Sequence, residues 1–375
     1  MNRADRRIGG WPDRHIMLIA VMLSAYPSIR LSAQDAPRIS ETQSVLSQLI
    51  ESYGVSGSEG PVRETVKRLL PSWATTETDT AGNLWVRVGP AGRGTPVVFV
   101  AHLDEIGFRL TDILDNGSLA LELRGGFFTS LFEAQPVLVH TEKGDVPGVL
   151  APRDSAFTRR TPPPLHVDVG TTSRQATEAL GIRIGSTVTM PKHYVRLAGT
   201  RATGRSFDDR VGDAAQVLAL RHMNRALFKH PVIFVWSTRE EIGLEGAKAV
   251  AATLGTTIHR VHAIDTFVSA DSPLELPNFA VAALGRGPVA RSVDNSSVTP
   301  PAYVDSLVRV ARARGIALQV GTTNGGNDGS VFTPYGVVDV AIGWPLRYSH
   351  SPAEVVDLKD VGGLADIIQA VAESW

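Results

Sequence analysis

Between residues 38 and 73 apolar positions recur at helical spacing, as in Val45, Leu46, Leu49 and Ile50. The Gly/Ser-containing stretch "GVSGSEG" divides the segment into two helices. "GNLWVRVG" and "TPVVFVAH" then read as strands. The second is apolar throughout, as expected of a strand covered on both faces. From about 109 to 200 the pattern shifts to short strands with frequent Gly and Pro, including "GSLALELRGG", "PVLVHTEKGDVPGVLA" and "LHVDVGT", with "RRTPPP" as a loop. Helix and strand alternate again afterwards. "DDRVGDAAQVLALRHM", "EGAKAVAATL", "PAYVDSLVRVARARG" and "KDVGGLADIIQAVAES" read as helices, and "PVIFVWST", "RVHAIDT" and "VVDVAIGWP" as strands. Such alternation predicts a layered α/β domain with helices on both faces of its sheet. Residues 38–108 and 201–375 would form that domain, and 109–200 a β-rich insert. No internal repeat is present.

A chain of 375 residues suits one large domain or two. A net charge of −1 removes any global electrostatic case for nucleic acid. The absence of cysteine excludes disulfides and thiolate metal sites, and leaves His, Asp and Glu as the available ligands. The start of the chain is basic, residues 16–26 are apolar, and Leu31-Ser32-Ala33 offers small residues at the −3/−1 positions. This pattern predicts a signal peptide over 1–33 and a secreted or periplasmic protein, with Arg6-Arg7 leaving the export route open. The apolar run is too short for a membrane span, so no stable span is expected after processing.

In open α/β sheets ligands bind at the carboxyl ends of the strands, and the chain places ligand-type residues there. "VVFVAH" runs into His102-Leu103-Asp104, "VIFVWST" into Glu240-Glu241, "VHAI" into Asp265, and the last strand through "IGWPLRYSH" to His350. Asp208-Asp209 open a helix. Each has an ordinary explanation alone: an N-cap for Asp208, a solvated edge for the glutamates, a surface position for His350. Together they form a Cys-free donor set suited to zinc, cobalt or manganese. Residues two apart on a strand face the same side, so Asp104 can orient the His102 imidazole. At a strand-to-turn transition the adjacent glutamates can both enter one cleft, one binding metal and the other free to carry protons.

Eight stretches carry a family resemblance: "AHLDEIGF", "LHVDVGT", "GIRIGSTV", "SFDDRVGDA", "EEIGLEGA", "AIDTFVSADSP", "NGGNDGSVF" and "RYSHSPAEVVDL". In this order, over about residues 45–375, the chain resembles the tetrahedral aminopeptidase family of dinuclear-metal exopeptidases. The resemblance implies an α/β/α metallopeptidase domain with a mixed, largely parallel sheet and an inserted small β-barrel-like domain. It implies one metal held by His102, Asp208 and Asp265, and a second by Asp208, Glu241 and His350. Two divalent ions would be bound, zinc first, with cobalt or manganese as alternatives. Glu240 would be the general base, Asp104 would support His102, and Asp328 would be a substrate-pocket residue. Peptides with a free N-terminus would be the substrates, and twelve-subunit tetrahedral particles the assembly.

Two other readings remain at this stage. A glycoside hydrolase needs two carboxylates flanking a glycosidic bond; Glu240 and Asp104 could fill those roles, leaving His102, His350 and Asp265 without purpose. A metal- or peptide-binding homologue without catalysis would not need both Glu240 and Glu241.

Overall fold

The computed structural model describes residues 35–153, 163–271 and 280–375. The leader expected over 1–33 lies outside the described residues, as does part of "RRTPPP". Among the described residues no helix is long and apolar enough to cross a membrane.

A six-stranded mixed sheet forms the centre, in the order Thr76–Thr78, Leu84–Val88, Val232–Ser237, Val97–His102, Arg260–Ala263, Val338–Asp339. The last four are parallel to one another and the first two pair antiparallel. The strands Val97–His102 and Val232–Ser237 are buried along their whole length, which explains their unbroken apolar sequences. Alternate side chains serve opposite faces. Val97, Phe99, Ala101, Phe234 and Trp236 pack in the cluster that includes Leu46 and Leu49 of helix Asp35–Ile50, Val217 of Phe207–His222 and Ile368 of Leu358–Ser374. Val98, Val100, Ile233 and Val235 face the other way, onto Ala247, Val250 and Ala251 of helix Glu245–Leu254. That helix approaches closely because Gly246 has no side chain. A Cβ there would sit 2.4 Å from the backbone of Thr238.

Six further strands close into a barrel, in the order Gly107–Ile113, Leu119–Arg124, His166–Asp168, Gly144–Leu150, Pro136–Thr141, Thr187–Thr189. Its own core contains Phe108, Phe132, Val139 and Val188, and closure leaves no edge strand. "VVDVAIGWP" departs from its reading as one strand. It is broken into Val338–Asp339, Ile342–Gly343 and Pro345–Leu346, each pairing in a different sheet. A continuous apolar run signals burial but not which neighbour supplies the hydrogen bonds.

Barrel and sheet meet at a buried charge cluster around Glu105. Its carboxylate accepts Lys192 Nζ at 2.9 Å, Arg205 Nη2 at 2.9 Å and the Gly54 amide at 2.7 Å. Arg210 lies 3.6 Å away and itself faces Asp213 at 3.8 Å. Burial alone would raise the Glu105 pKa; the three cations outweigh it and hold the carboxyl far below its ordinary range. Glu105→Gln leaves those cations without their shared counter-charge and is expected to destabilise the fold by about 3–5 kcal/mol in denaturant unfolding. A loss under about 1 kcal/mol would show that the cluster tolerates a neutral centre. Since the folded-state pKa is depressed, this stabilisation is present above the ordinary glutamate pKa and is lost as pH falls below it.

Candidate metal centre

The carboxyl ends of the parallel strands converge on one cleft. His102 closes its strand, Glu240 and Glu241 follow Ser237, and Asp265 follows Ala263. His350 arrives differently from expectation. It sits on the loop between Pro345–Leu346 and Glu354–Asp357, not at the end of a sheet strand. Asp208 lies in the irregular first turn of helix Phe207–His222, where φ/ψ is non-helical and Ser206 is left-handed at φ 68°. Among the described residues seven non-glycine residues have positive φ. Five of them, Ser206, Arg239, Leu244, Tyr348 and His350, flank or carry these loops. Conformations of this kind cost about 1–3 kcal/mol each and gather where surrounding structure imposes them.

Ligand-type atoms of His102, Asp208 and Asp265 lie within 4.8 Å of one another, as do those of Asp208, Glu241 and His350. Asp208 belongs to both groups. Its Oδ1 is 3.3 Å from His102 Nε2 and its Oδ2 is 3.4 Å from His350 Nε2. Glu241 Oε1 is 3.2 Å from His350 Nε2 and is buried without a hydrogen-bond partner. Each imidazole has its other nitrogen engaged: His102 Nδ1 with the Asp104 carbonyl at 3.2 Å, and His350 Nδ1 with the Gly126 carbonyl at 2.6 Å. That leaves both Nε2 atoms facing the carboxylates, the arrangement in which outer carbonyls orient metal-binding histidines. Glu240 Oε2 stands 4.0 Å from His102 Nε2; Glu240 also falls within ligand reach of His102 and Glu241.

The electrostatics fit a cation. Burial, reinforced by neighbouring Asp265 and Glu241, pushes Glu240 well above the ordinary carboxylate range. Burial likewise takes Asp265 up to about 7, against the pull of Arg291 and with the push of Asp208. Asp208 is the exception: burial would raise it, but hydrogen bonds with His102 and His350 hold it below its usual range. Burial would lower His350, yet Glu241 and Asp208 raise it. In the metal-free protein Glu240 and Asp265 therefore hold protons more readily than free carboxylates do.

Asp104 is fully buried and does more than face His102. Its carboxylate accepts Ser56 Oγ at 2.6 Å and the amides of Glu240 and Glu241 at 2.9 and 3.1 Å, which clamps the glutamate turn to the neighbouring strand end. Asp328 lies one layer back: it is buried, hydrogen-bonded by Ser237 Oγ, and outside the lining of the cavity. Several supports were not singled out from sequence. Asp209 accepts the His102 amide at 2.8 Å, and Gly212 leaves room for that carboxylate. Glu354 receives the Phe207 and His350 amides at 2.6 and 3.0 Å. Arg291 Nη1 lies 3.3 Å from Asp265 Oδ2. A ligand-bearing "SFDD" and "SHSPAE" were visible; their hydrogen bonds across the chain were not. A larger groove of about 1090 Å³ between the connection that joins the first two helices and the barrel contains none of the candidate ligands.

A layered α/β domain with a barrel beside a His/carboxylate centre at the strand ends defines a metal-dependent peptidase. The chain matches the M42 glutamyl aminopeptidase family over residues 82–367 and belongs to it. It is similar to the lysyl aminopeptidase of Pyrococcus furiosus, 29% identical with 88% of this chain and 96% of that protein covered. It is also similar to the glutamyl aminopeptidase of Lactococcus lactis subsp. cremoris, 25% identical over 87% of this chain and 94% of that protein. Among solved structures, the TET1 peptidase of Pyrococcus horikoshii superposes with a TM-score of 0.80 at 32% identity, covering 89% of this chain and 100% of that one. Family membership makes the protein a metal-dependent hydrolase of peptide bonds and removes the glycoside-hydrolase reading. The expected secreted or periplasmic location is corrected as well: the comparisons set the chain among TET aminopeptidases and give the expected leader no support.

Proposed function

We propose that the protein removes N-terminal residues from peptides with two divalent metal ions, zinc first, with cobalt or manganese as alternatives. The observation that carries this reading is the sharing of Asp208 between two three-residue donor groups. His102, Asp208 and Asp265 would hold one ion, and Asp208, Glu241 and His350 the other. Divalent ions bound there supply Lewis acidity that activates water and polarises the scissile carbonyl. Glu240 takes the proton of the attacking water and returns it to the departing amine. Asp104 holds the amides of Glu240 and Glu241, and so sets where the proton carrier stands. Residues 38–108 and 201–375 form the catalytic domain, and 109–200 the insert that walls the cleft through Gly126. The TET1 relative assembles into a tetrahedron or a large octahedral shell, and we propose a homo-oligomer for this chain too.

The reading is tested by stripping the purified protein with a chelator and assaying aminoacyl-p-nitroanilides. Hydrolysis is expected to fall to background and to return when zinc, cobalt or manganese is restored. Full activity in excess chelator, with metal content confirmed at zero, would sink it.

A further inference from the structure

The cavity in front of the donor groups has a volume of about 540 Å³. Besides the candidate ligands, Glu240 and the uncharged polar Thr266, Asn324 and Ser349, its lining carries an apolar group: Phe127, Phe128 and Leu131 from the barrel loop, with Leu244 and Val268 from the α/β domain. We propose that this apolar wall seats the side chain of the substrate's N-terminal residue, and that the enzyme prefers neutral apolar residues (Leu, Met, Phe) over Glu and Lys. The inference rests on the aminopeptidase reading above.

Charge on the cavity wall is already committed. Apart from the two histidines, Arg291 is the cation among the described lining residues. Its side chain is 1% exposed. It donates to Asp294 at 2.8 Å, to the Thr266 and Gly326 carbonyls at 2.7 and 2.9 Å, and faces Asp265. Only its buried Nε has no partner. A glutamate side chain entering here would meet no free cationic side chain among the described lining residues. The lining carboxylates are Asp208, Glu240, Glu241 and Asp265, all assigned above to metal or proton transfer, so a lysine ammonium finds no further counter-charge among the described lining residues. A charged side chain laid against this apolar wall gives up water for no charged partner and is rejected more strongly than a methylene is.

The apolar wall has the marks of a seat. Phe128 is 80% exposed and Leu131 48% exposed, side by side at the cavity. Phe127 beside them is held from behind by edge contacts with Phe108 at 5.3 Å and Phe132 at 4.9 Å. An exposed apolar cluster on a supported loop, next to convergent polar groups, is how small-ligand sites are built.

The test is a panel of Leu-, Met-, Phe-, Glu- and Lys-p-nitroanilides with the metal-loaded enzyme, and thermal-shift titrations with free leucine, glutamate and lysine. A kcat/KM at least about tenfold higher for an apolar residue than for Glu or Lys is expected, with leucine giving the larger shift. Phe128→Arg places a cation at the mouth on an exposed position. It should raise the Glu-to-Leu ratio of kcat/KM at least about tenfold without lowering the melting temperature. Fastest turnover of Glu or Lys by the unmodified enzyme, or a ratio unmoved by Phe128→Arg, would overturn the assignment while leaving the aminopeptidase reading intact. Failure to hydrolyse any member of the panel overturns both.

Discussion

Glu240→Gln is expected to lower kcat on an aminoacyl-p-nitroanilide by about 10²–10⁴-fold, the range general-base catalysis contributes. KM and metal content measured by mass spectrometry should stay near wild type. The substitution is nearly isosteric, and the Glu240 amide keeps its bond to Asp104 at 2.9 Å, so the turn stays in place. What disappears is an oxygen able to accept a proton. A fall in kcat with unchanged KM marks an interaction made in the transition state. Two outcomes would change the assignment: a wild-type rate, which removes Glu240 as base, or loss of a metal ion, which makes it a ligand alongside His102 and Glu241.

Glu241→Ala is expected to do the reverse. Its Oε1 is buried, unpartnered and 3.2 Å from His350 Nε2, the position of a donor waiting for a cation. Removing it should cut metal content by about one ion per chain and weaken uptake by more than the ~10–100-fold that loss of an outer partner costs. Activity should then return in part at high metal concentration, which Glu240→Gln cannot achieve. The same titration has a pH sign. Metal donors must be deprotonated, and burial has raised the Asp265 carboxyl to about 7. Uptake by the metal-free protein should therefore be weaker at about pH 6 than at about pH 8. Equal metal affinity of wild type and Glu241→Ala would remove Glu241 from the donor set.

In the proposed reading the adjacent glutamates differ in role though they share a turn. In the sequence they show only that a buried strand ends in charge. Their different settings depend on Asp104, which receives both amides from another strand, and on His350, which meets Glu241 rather than Glu240. His350 was legible as a ligand type but misplaced. Its loop is set by hydrogen bonds to Glu354 and to the barrel residue Gly126, and no local pattern connects these. The place of Asp328 likewise depends on packing between distant segments. Its motif suggested the pocket wall, whereas the short helix Asp328–Tyr335 puts it behind Ser237.

The amino-acid sequence alone determined the alternation of helices and strands, the doubly covered central strands, the β-rich insert and the polar residues on which the strands end. These are local properties, written in hydrophobic periodicity and in where it stops. The family resemblance had already implied a small β-barrel-like insert; only the tertiary structure decided its strand order, that "VVDVAIGWP" divides among three sheets, and that Asp208 turns one oxygen to each histidine. Such features rest on hydrogen bonds and packing between segments far apart in the chain, and strands two or three residues long carry too little periodicity to announce their partners.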